Sequence, residues 1–235
     1  MQVVILAGGL GTRLRPLTYK VPKPMIEVLG KPFLSYVVEM LKGKGVDDFV
    51  ICSSYMAEKV SDYFGGGKKF GVRIANSIET SPMGTAGGIR NSLAYLRDTF
   101  VVLNGDTYID IDYKKIYDYF EARHEPALMV LYSGAEVKNR VDNVEIDKDG
   151  IVTAYNKGQK KESKYGFAGV LLLRKKLVEK WPSARSIMLE SEIFPDLIKK
   201  RQMASFIITE RYYDIGTEEK LKAFEDFVKQ KEQNK

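Results

Sequence analysis

The chain has 235 residues, of which 37 are Lys or Arg and 31 are Asp or Glu, so its formal net charge is +6. A chain of this length buries one substantial core, and no Pro- or Ser-rich linker divides it, so we expect a single domain over residues 1–235. The apolar N-terminal run is far too short for a signal peptide, and no stretch approaches the roughly 18 apolar residues of a membrane span, which predicts a cytoplasmic protein without membrane partners.

Lysine pairs are spread along the chain, at 68–69, 114–115, 160–161, 175–176 and 199–200. Scattered pairs are typical of solvated helix faces, whereas a nucleic-acid track gathers its cations on one surface with interleaved aromatic residues. We therefore expect no nucleic-acid partner, and the basic balance suits substrates that are phosphate anions. The one cysteine, Cys52, lies in an apolar run, which predicts a buried thiol.

The first half of the chain alternates β-rich runs with amphipathic runs. The pattern predicts strands over 3–6, 48–52, 72–75 and 100–103, and helices over 33–41, 57–64 and 86–96. Strands that alternate with helices favour a parallel sheet. The continuous apolar run at 100–103 is typical of a strand that is covered on both faces.

After residue 106, strands outnumber helices. The pattern predicts helices over 112–123, 175–181 and 190–201, strands over 127–132, 144–146, 151–155, 167–173 and 206–208, and a last helix from 218. Residues 229–235 are polar, and we expect them to fray. We expect the later strands to extend the same sheet, so the predicted fold is α/β, with a Rossmann-like mixed sheet, mostly parallel, flanked by helices.

A glycine-rich loop follows the first predicted strand and closes with a Pro-Lys-Pro run at 22–24. Glycines at positions 8, 9 and 11 allow positive φ and close approach of the backbone to a ligand, which leaves N–H groups free for phosphate. Arg13, Arg15 and Lys23 add cationic charge beside those amides, and arginine suits forked contacts with phosphate oxygens. The loop predicts a polyphosphate ligand, because a tight turn with solvated arginines does not explain why cations and prolines cluster here.

Two other glycine-rich motifs do not fit this loop. A dinucleotide fingerprint requires an acidic residue roughly 20 positions further on, and the next acid here, Glu27, lies too close to the turn. A P-loop requires Lys-Ser or Lys-Thr directly after its last glycine, whereas Gly11 is followed by Thr12 and Arg13. We therefore expect neither a nicotinamide dehydrogenase nor a P-loop enzyme.

Four segments of the chain together resemble the sugar-1-phosphate nucleotidyltransferases, also known as nucleotide-sugar pyrophosphorylases. They are the loop at 8–18 with the run at 22–24, and the runs PMGTAGG at 82–88, NGDT at 104–107 and YDIG at 213–216. The whole pattern looks most like the short guanylyltransferases acting on mannose 1-phosphate or D-glycero-D-manno-heptose 1-phosphate. The resemblance implies the nucleotide-diphospho-sugar transferase type of fold, with a nucleotide-binding half over about 1–110 and a sugar-phosphate-binding half over about 111–235.

The resemblance also implies two groups of binding residues. Those for the nucleotide are Leu6, Ala7, Gly8, Gly9, Gly11, Thr12, Arg13, Glu79, Pro82, Gly84 and Thr85. Those for the sugar phosphate are Gly105, Asn143, Asn156, Lys157, Phe167 and Glu190. The second group departs from the family, because Asn156 and Gly158 replace a usual Glu and Pro around Lys157, and Phe167 falls where many members carry an asparagine. These departures leave the identity of the sugar open. A purely structural role for Asn143 and Glu190 stays open as well.

Two aspartates are expected to bind Mg²⁺, the implied cofactor. Asp106 follows the strand at 100–103, where α/β sheets bind ligands, and Mg²⁺ takes one or two carboxylates together with phosphate oxygens and water. The resemblance places Asp214 beside the same metal. The expected catalytic residues are Arg13, Lys23 and Asp106, which would position and neutralise the phosphates while a sugar-phosphate oxygen attacks the α-phosphorus of a nucleoside triphosphate. A sugar 1-phosphate has a second pKa near 6, so it needs no general base at neutral pH, and we expect the one histidine, His124, at the surface.

Glu79 indicates which nucleotide base the protein takes. Guanine offers N1–H and N2–H donors side by side, which one carboxylate can accept, whereas uracil and thymine offer one ring N–H and two acceptors, better served by an amide. Glu79 stands where thymidylyltransferases of this family carry a glutamine, which favours GTP. The use of UTP, dTTP or CTP in place of GTP stays open. Two other functions also stay open, a cytidylyltransferase for a non-sugar phosphate such as phosphocholine and a non-catalytic nucleotide-sugar-binding subunit. The joint presence of Arg13, Lys23, Asp106 and Asp214 argues against the last. The oligomeric state also stays open, a homo-oligomer included.

Overall fold

A computed structural model of the protein describes residues 1–134, 142–158, 163–183 and 185–233, without the side chains of residues 142 and 157. The strands of this part of the chain are β1 (Gln2–Leu6), β2 (Glu27–Val28), β3 (Lys31–Pro32), β4 (Asp48–Ser53), β5 (Arg73–Ile78), β6 (Thr99–Asn104), β7 (Thr107–Ile109), β8 (Ala127–Tyr132), β9 (Asp142–Ile146), β10 (Val152–Lys157), β11 (Tyr165–Arg174), β12 (Met203–Ile208) and β13 (Tyr212–Asp214). Its α-helices are α1 (Phe33–Gly43), α2 (Ala57–Phe64), α3 (Gly84–Asn91), α4 (Tyr113–Glu121), α5 (Lys175–Val178), α6 (Phe194–Lys199) and α7 (Glu218–Gln233). None of the helices in the described ranges is long and apolar enough to cross a membrane.

Nine of these strands form one central sheet, in the order β10-β9-β11-β6-β1-β4-β5, with β8 paired to β11 and β12 paired to β8. Strands β4, β1 and β6 pair in parallel, as do β4 and β5 and also β8 and β12. Strand β11 is antiparallel to β6, β8 and β9, and β10 is antiparallel to β9. Seven of the nine strands therefore run in one direction, which confirms the predicted mixed, mostly parallel sheet and the prediction that the later strands extend it.

The sheet is covered on both faces because its strands place successive side chains on opposite sides. In β1, Val3 and Ile5 pack in one apolar core, whereas Val4 packs in the other. Helix α1 covers the first core with residues such as Phe33, and α3 covers the second with Ile89. The continuous apolar runs of the central strands follow from this double coverage.

Most predicted elements agree with the structure to within a few residues. The helix at 57–64 and the strand at 127–132 are confirmed residue for residue. The helix predicted over 190–201 is instead a π-helical turn, Leu189–Ile193, followed by α6. Pro195 lies in the first turn of α6, directly after the π-helical turn, and its missing N–H group interrupts the helical hydrogen bonds there. The helix predicted over 175–181 ends at Val178, shortly before Pro182.

The C-terminal helix α7 docks through an aromatic cluster. Phe224, which is 0% exposed, has its ring centroid 4.7 Å from that of Phe33 and 5.2 Å from that of Tyr108. The expected fraying is wrong for residues 229–233, because α7 continues to Gln233. Lys231 anchors the last turns, since its Nζ donates to the hydroxyl oxygen of Tyr108 at 3.0 Å.

Candidate active site

A cavity of about 400 Å³ opens at the carboxyl ends of β1, β4, β5 and β6. Its lining comprises Leu6, Gly8, Gly9, Leu10, Lys23, Pro24, Cys52, Ser54, Glu79, Pro82, Gly84, Thr85, Asn104, Asp106, Met188 and Glu190. The volume suits a small-molecule ligand, and this edge of an open α/β sheet is where such folds bind ligands. The cavity is therefore the candidate active site.

The glycine-rich loop is fixed beside this cavity by contacts that begin at Gly11. Gly11 has φ +60°, and a Cβ at this position would lie 2.8 Å from Cγ2 of Thr18, so the conformation requires glycine. The hydroxyl of Thr18 donates to the carbonyl oxygen of Gly11 at 3.0 Å. Tyr55, which follows β4, donates its hydroxyl to the carbonyl oxygen of Thr18 at 3.1 Å. Leu14, 0% exposed, anchors the loop to the core.

Lys23 and Asp106 form an ion pair at the cavity wall. Lys23 is 8% exposed, and a cation this deeply buried requires a charged partner. Gly105 brings Asp106 against the end of β1, because its N–H donates to the carbonyl oxygen of Leu6 at 2.9 Å, and a Cβ on Gly105 would lie 2.7 Å from that oxygen. The hydroxyl of Thr107 donates to Oδ1 of Asp106 at 3.2 Å.

Asp214 lies next to Asp106 although the two are far apart in the sequence. Strands β13 and β7 pair antiparallel, with Asp214 opposite Thr107, and the N–H of Ile215 donates to the carbonyl oxygen of Asp106 at 3.1 Å. Oδ2 of Asp214 lies 2.6 Å from Nζ of Lys220.

Arg13 reaches the same place from the glycine-rich loop. Its Nη2 lies 3.3 Å from the position that a Cβ on Gly216 would occupy, and Oδ1 of Asp214 lies 2.8 Å from that position. The loop guanidinium and the Asp214 carboxylate are therefore neighbours.

The donor set of this region fits Mg²⁺. Within the described ranges, no group of three or more His, Cys, Asp or Glu side chains gathers to enclose a metal ion. Mg²⁺ does not need such a cage, because it is bound by one or two carboxylates and completes its shell with phosphate oxygens and water. Asp214 ends β13, and Asp106 directly precedes β7, the strand that pairs with β13, so these two are the residues that could hold it.

Glu79 projects its carboxylate into the cavity wall from the end of β5. Its Oε2 accepts a hydrogen bond from the N–H of Met83 at 2.9 Å, and its Oε1 lies 2.6 Å from the position that a Cβ on Gly88 would take. Partial burial raises the pKa of the Glu79 carboxyl, and the hydrogen bond from Met83 opposes this effect. Glycine at 88 therefore leaves the room that this carboxylate occupies.

The structure brings most of the expected nucleotide residues together. The predicted residues that line the cavity are Leu6, Gly8, Gly9, Lys23, Glu79, Pro82, Gly84, Thr85, Asp106 and Glu190. The predicted site residues that lie in chain segments next to the cavity lining are Ala7, Gly11, Thr12, Arg13, Gly105 and Asp214. His124 is exposed, as expected.

The other expected sugar-phosphate residues lie on β9, β10 and β11. Asn143, 1% exposed, stands opposite Asn156 on β10 and Gly166 on β11. Phe167 packs edge-to-face against Phe194, with ring centroids 5.9 Å apart. Lys157 ends β10, and its side chain lies outside the described part of the chain.

Several cavity residues were not predicted as site residues. They are Leu10, Pro24, Cys52, Ser54, Asn104 and Met188. Ser54 and Asn104 stand at or just past the carboxyl ends of β4 and β6, so the rule that ligands bind at these ends could have identified them. Burial raises the pKa of the Cys52 thiol to about 12, so it stays protonated and unreactive although it lines the cavity. No local sequence signal marks Met188.

These features together define a class of protein. A glycine-rich loop with cations, two neighbouring carboxylates and a cavity at the carboxyl ends of a mostly parallel sheet are the parts of an enzyme that transfers a group from a nucleoside triphosphate. Residues 2–231 match the model of the nucleotidyl transferase family, and the chain belongs to that family.

Three relatives place the chain within this family. It is 31% identical over 219 residues to D-glycero-alpha-D-manno-heptose 1-phosphate guanylyltransferase of Campylobacter jejuni, a match that covers 93% of this chain and 96% of that protein. It is 30% identical over 214 residues to UTP–glucose-1-phosphate uridylyltransferase of Synechocystis, covering 84% of this chain and 55% of that protein. The crystal structure of HddC from Yersinia pseudotuberculosis superposes with a TM-score of 0.85 at 29% identity, covering 97% of this chain and 99% of HddC.

HddC has also been crystallised in complex with GMP-PN, and that structure superposes with a TM-score of 0.81 at 31% identity, covering 96% of this chain and 99% of HddC. The predicted class, a sugar-1-phosphate nucleotidyltransferase with the nucleotide-diphospho-sugar transferase fold, is confirmed. Both guanylyl- and uridylyltransferases are among the relatives, so family membership by itself does not select the base.

Proposed function

We propose that this protein transfers a guanylyl group from GTP to a manno-configured sugar 1-phosphate, with Mg²⁺ as cofactor, and releases pyrophosphate. The observation that carries the choice of GTP is the carboxylate of Glu79 in the cavity wall. Two relatives support the same choice, since the Campylobacter jejuni protein is named as a guanylyltransferase for a manno-heptose 1-phosphate and HddC was crystallised with GMP-PN.

Glu79 offers hydrogen-bond acceptors for the N–H donors of guanine. Its carboxylate keeps acceptor capacity beyond the hydrogen bond from Met83, and the described residues place no cation against it. N–H donors of a ligand stabilise the ionised form of a half-buried carboxylate that has no cation beside it, because they replace the hydrogen bonds to water that burial removed. Guanine supplies two such donors side by side, whereas uracil would set a carbonyl oxygen against the same carboxylate.

The triphosphate is proposed to lie along the glycine-rich loop, between Arg13 and Lys23. Backbone N–H groups of Gly8, Gly9 and Gly11, with the Thr12 hydroxyl, would contact its oxygens, and Arg13 would add a forked contact. Lys23 is already desolvated beside Asp106, so its charge acts strongly on a phosphate that enters the cavity.

Asp106 and Asp214 would hold Mg²⁺, which supplies charge neutralisation on the phosphates when it is bound. The chain's own residues hold the two substrates in line. A sugar-phosphate oxygen forms a bond to the α-phosphorus of GTP while the bond from that phosphorus to the β-phosphate oxygen breaks, and pyrophosphate leaves with that electron pair. The attacking phosphate is already a dianion at neutral pH, so none of the chain's residues needs to take up a proton.

The sugar phosphate is proposed to contact Glu190 in the cavity together with groups on β9, β10 and β11. The groups on these strands are Asn143, Asn156, Lys157 and Phe167, and Gly105, which precedes Asp106, completes the proposed set. Glu190 is the member that lines the cavity next to Thr85, which suits a carboxylate that accepts hydrogen bonds from sugar hydroxyls.

The test is pyrophosphate release with Mg²⁺, in which GTP, UTP, dTTP and CTP are crossed with mannose 1-phosphate, D-glycero-D-manno-heptose 1-phosphate, glucose 1-phosphate and phosphocholine. We expect strong release with GTP and a manno-configured sugar 1-phosphate. Release with UTP or dTTP in place of GTP would contradict the role of Glu79, and release with CTP and phosphocholine would contradict the sugar. No release with any pair would contradict the proposed activity and favour a non-catalytic nucleotide-sugar-binding subunit.

A further inference from the structure

The segment 185–193 folds back over the first turn of α3 and reaches the cavity there. The carbonyl oxygen of Ile187 accepts hydrogen bonds from the N–H groups of Ala86 at 3.0 Å and Gly87 at 3.2 Å, and the N–H of Ile187 donates to the carbonyl oxygen of Met83 at 2.8 Å. Gly84 has φ +76°, and a Cβ on it would collide with the same Ile187 oxygen. Two of the N–H groups at the start of α3 are therefore satisfied by protein backbone and are not offered to a phosphate.

Thr85 ties this segment to α3 through its side chain. Its Oγ1 accepts a hydrogen bond from the N–H of Leu189 at 2.8 Å and donates one to Oε2 of Glu190 at 3.2 Å. Both bonds are within the capacity of one hydroxyl. Leu189 is 4% exposed, so its N–H depends on a protein partner.

We propose that Thr85 is a positioning residue for the sugar 1-phosphate, because its hydroxyl fixes the carboxylate of Glu190 and the backbone that carries it. The proposal rests on the proposed function, in which Glu190 contacts sugar hydroxyls. It differs from the expectation that Thr85 contacts the nucleotide, and the two roles have different kinetic consequences. A nucleotide contact changes the KM for GTP, whereas a positioning residue for Glu190 changes the KM for the sugar phosphate.

Thr85→Val removes the donor and the acceptor while keeping the shape of the side chain. With the sugar 1-phosphate that wild-type protein uses best, we expect the sugar-phosphate KM to rise about three- to tenfold, the effect of one hydrogen bond, and the GTP KM to change less than about twofold. Thr85→Ser keeps the hydroxyl and should restore the wild-type KM. Thr153→Val is the matched control, because Thr153 is exposed on β10.

A double-mutant cycle with Glu190→Gln distinguishes positioning from a merely structural role. If Thr85 acts through Glu190, the second substitution adds less than about twofold to the sugar-phosphate KM of the Thr85→Val protein, because contacting groups are not additive. The thermal midpoint of each variant is recorded as well, since the unpaired N–H of Leu189 lowers stability in Thr85→Val. A structural role would lower the midpoint without moving the two KM values apart and without coupling to Glu190.

Several results would overturn the role of Thr85: an unchanged sugar-phosphate KM, an equal rise in both KM values, a rise confined to GTP, or additive effects of the two substitutions. Failure of the proposed function is seen separately in the wild-type protein. If wild-type protein uses UTP instead of GTP, the base is wrong, and the same comparison with UTP still decides the role of Thr85. If wild-type protein turns over no pair, the proposed function and the positioning role fall together.

Discussion

Glu79→Gln tests the choice of guanine by exchanging one oxygen for an NH₂ group. In the structure, Oε2 of Glu79 accepts from the N–H of Met83 at 2.9 Å, and Oε1 faces the space left by Gly88. The glutamine amide has one oxygen, and the N–H of Met83 will take it, because the alternative sets two donors against each other. The NH₂ group then takes the place of Oε1 in the cavity wall, near Gly8, where guanine would present its own N–H donors.

The expected loss follows from this geometry. A hydrogen bond that involves a charged group contributes about 1.5–3 kcal/mol, so its removal lowers kcat/KM for GTP by about 10- to 150-fold. An NH₂ group suits the carbonyl oxygens of uracil, so kcat/KM for UTP should stay level or rise. The GTP-to-UTP ratio should therefore fall at least about tenfold.

The assay presents GTP and UTP together with one sugar 1-phosphate and separates the two nucleotide-sugar products, so that both rates come from one sample. Glu27→Gln is the control, because Glu27 is an exposed carboxylate on β2. An unchanged product ratio in Glu79→Gln would refute the argument that this carboxylate selects guanine. An equal loss with both triphosphates would mean that Glu79 supports the cavity without reading the base.

Three further outcomes are expected. Burial raises the pKa of Glu79, so the folded state binds this proton more tightly than the unfolded state, and the stability that the proton contributes is lost as pH rises through the raised pKa. Glutamine carries no charge, so the thermal midpoint of Glu79→Gln should be higher than that of wild type at pH 7. This difference should shrink in acid, where Glu79 is protonated. Asp106→Asn should lower kcat by about 100-fold or more and weaken Mn²⁺ binding measured by electron paramagnetic resonance, while circular dichroism stays unchanged, and near-normal turnover would contradict its role. Tyr55→Phe, which frees the carbonyl oxygen of Thr18, should raise the GTP KM about two- to tenfold and leave the sugar-phosphate KM unchanged; the reverse pattern would show that this hydrogen bond does not set the loop.

Local patterns in the sequence predicted the frame of the fold. The alternation of apolar runs identified the main strands and helices because each buries a face that repeats along its own segment. The glycine-rich loop was found for a similar reason, since Gly11 adopts φ +60° and the sequence marks such positions by residue type. Asp106 was proposed because it stands just past the carboxyl end of a predicted strand. Glu79 was proposed from the resemblance instead, because the strand predicted at 72–75 ends before it.

Contacts between distant segments were beyond such patterns. Strands β7 and β13 have three residues each, too short to show a period, yet their pairing sets Asp214 beside Asp106. The resemblance to a family, rather than periodicity, linked these two aspartates. The fold-back of 185–193 over α3 was missed as well, because its hydrogen bonds join Ile187 and Leu189 to residues about a hundred positions earlier.

Two ion pairs of the site, Lys23 with Asp106 and Asp214 with Lys220, can exchange partners with a phosphate ligand. Lys23 is buried with Asp106, and removing either alone would leave an uncompensated charge in the cavity wall. A phosphate that binds Lys23 can replace Asp106 as its partner, which leaves the carboxylate available as a ligand. The pair of Asp214 and Lys220 is more exposed, with Lys220 keeping 51% of its side-chain surface, so it contributes at most about 1 kcal/mol and separates readily. In the proposed function, substrate binding would exchange the partners of these two ion pairs and leave neither charge unpaired, and a phosphoryl-transfer site without a general base requires such preorganisation.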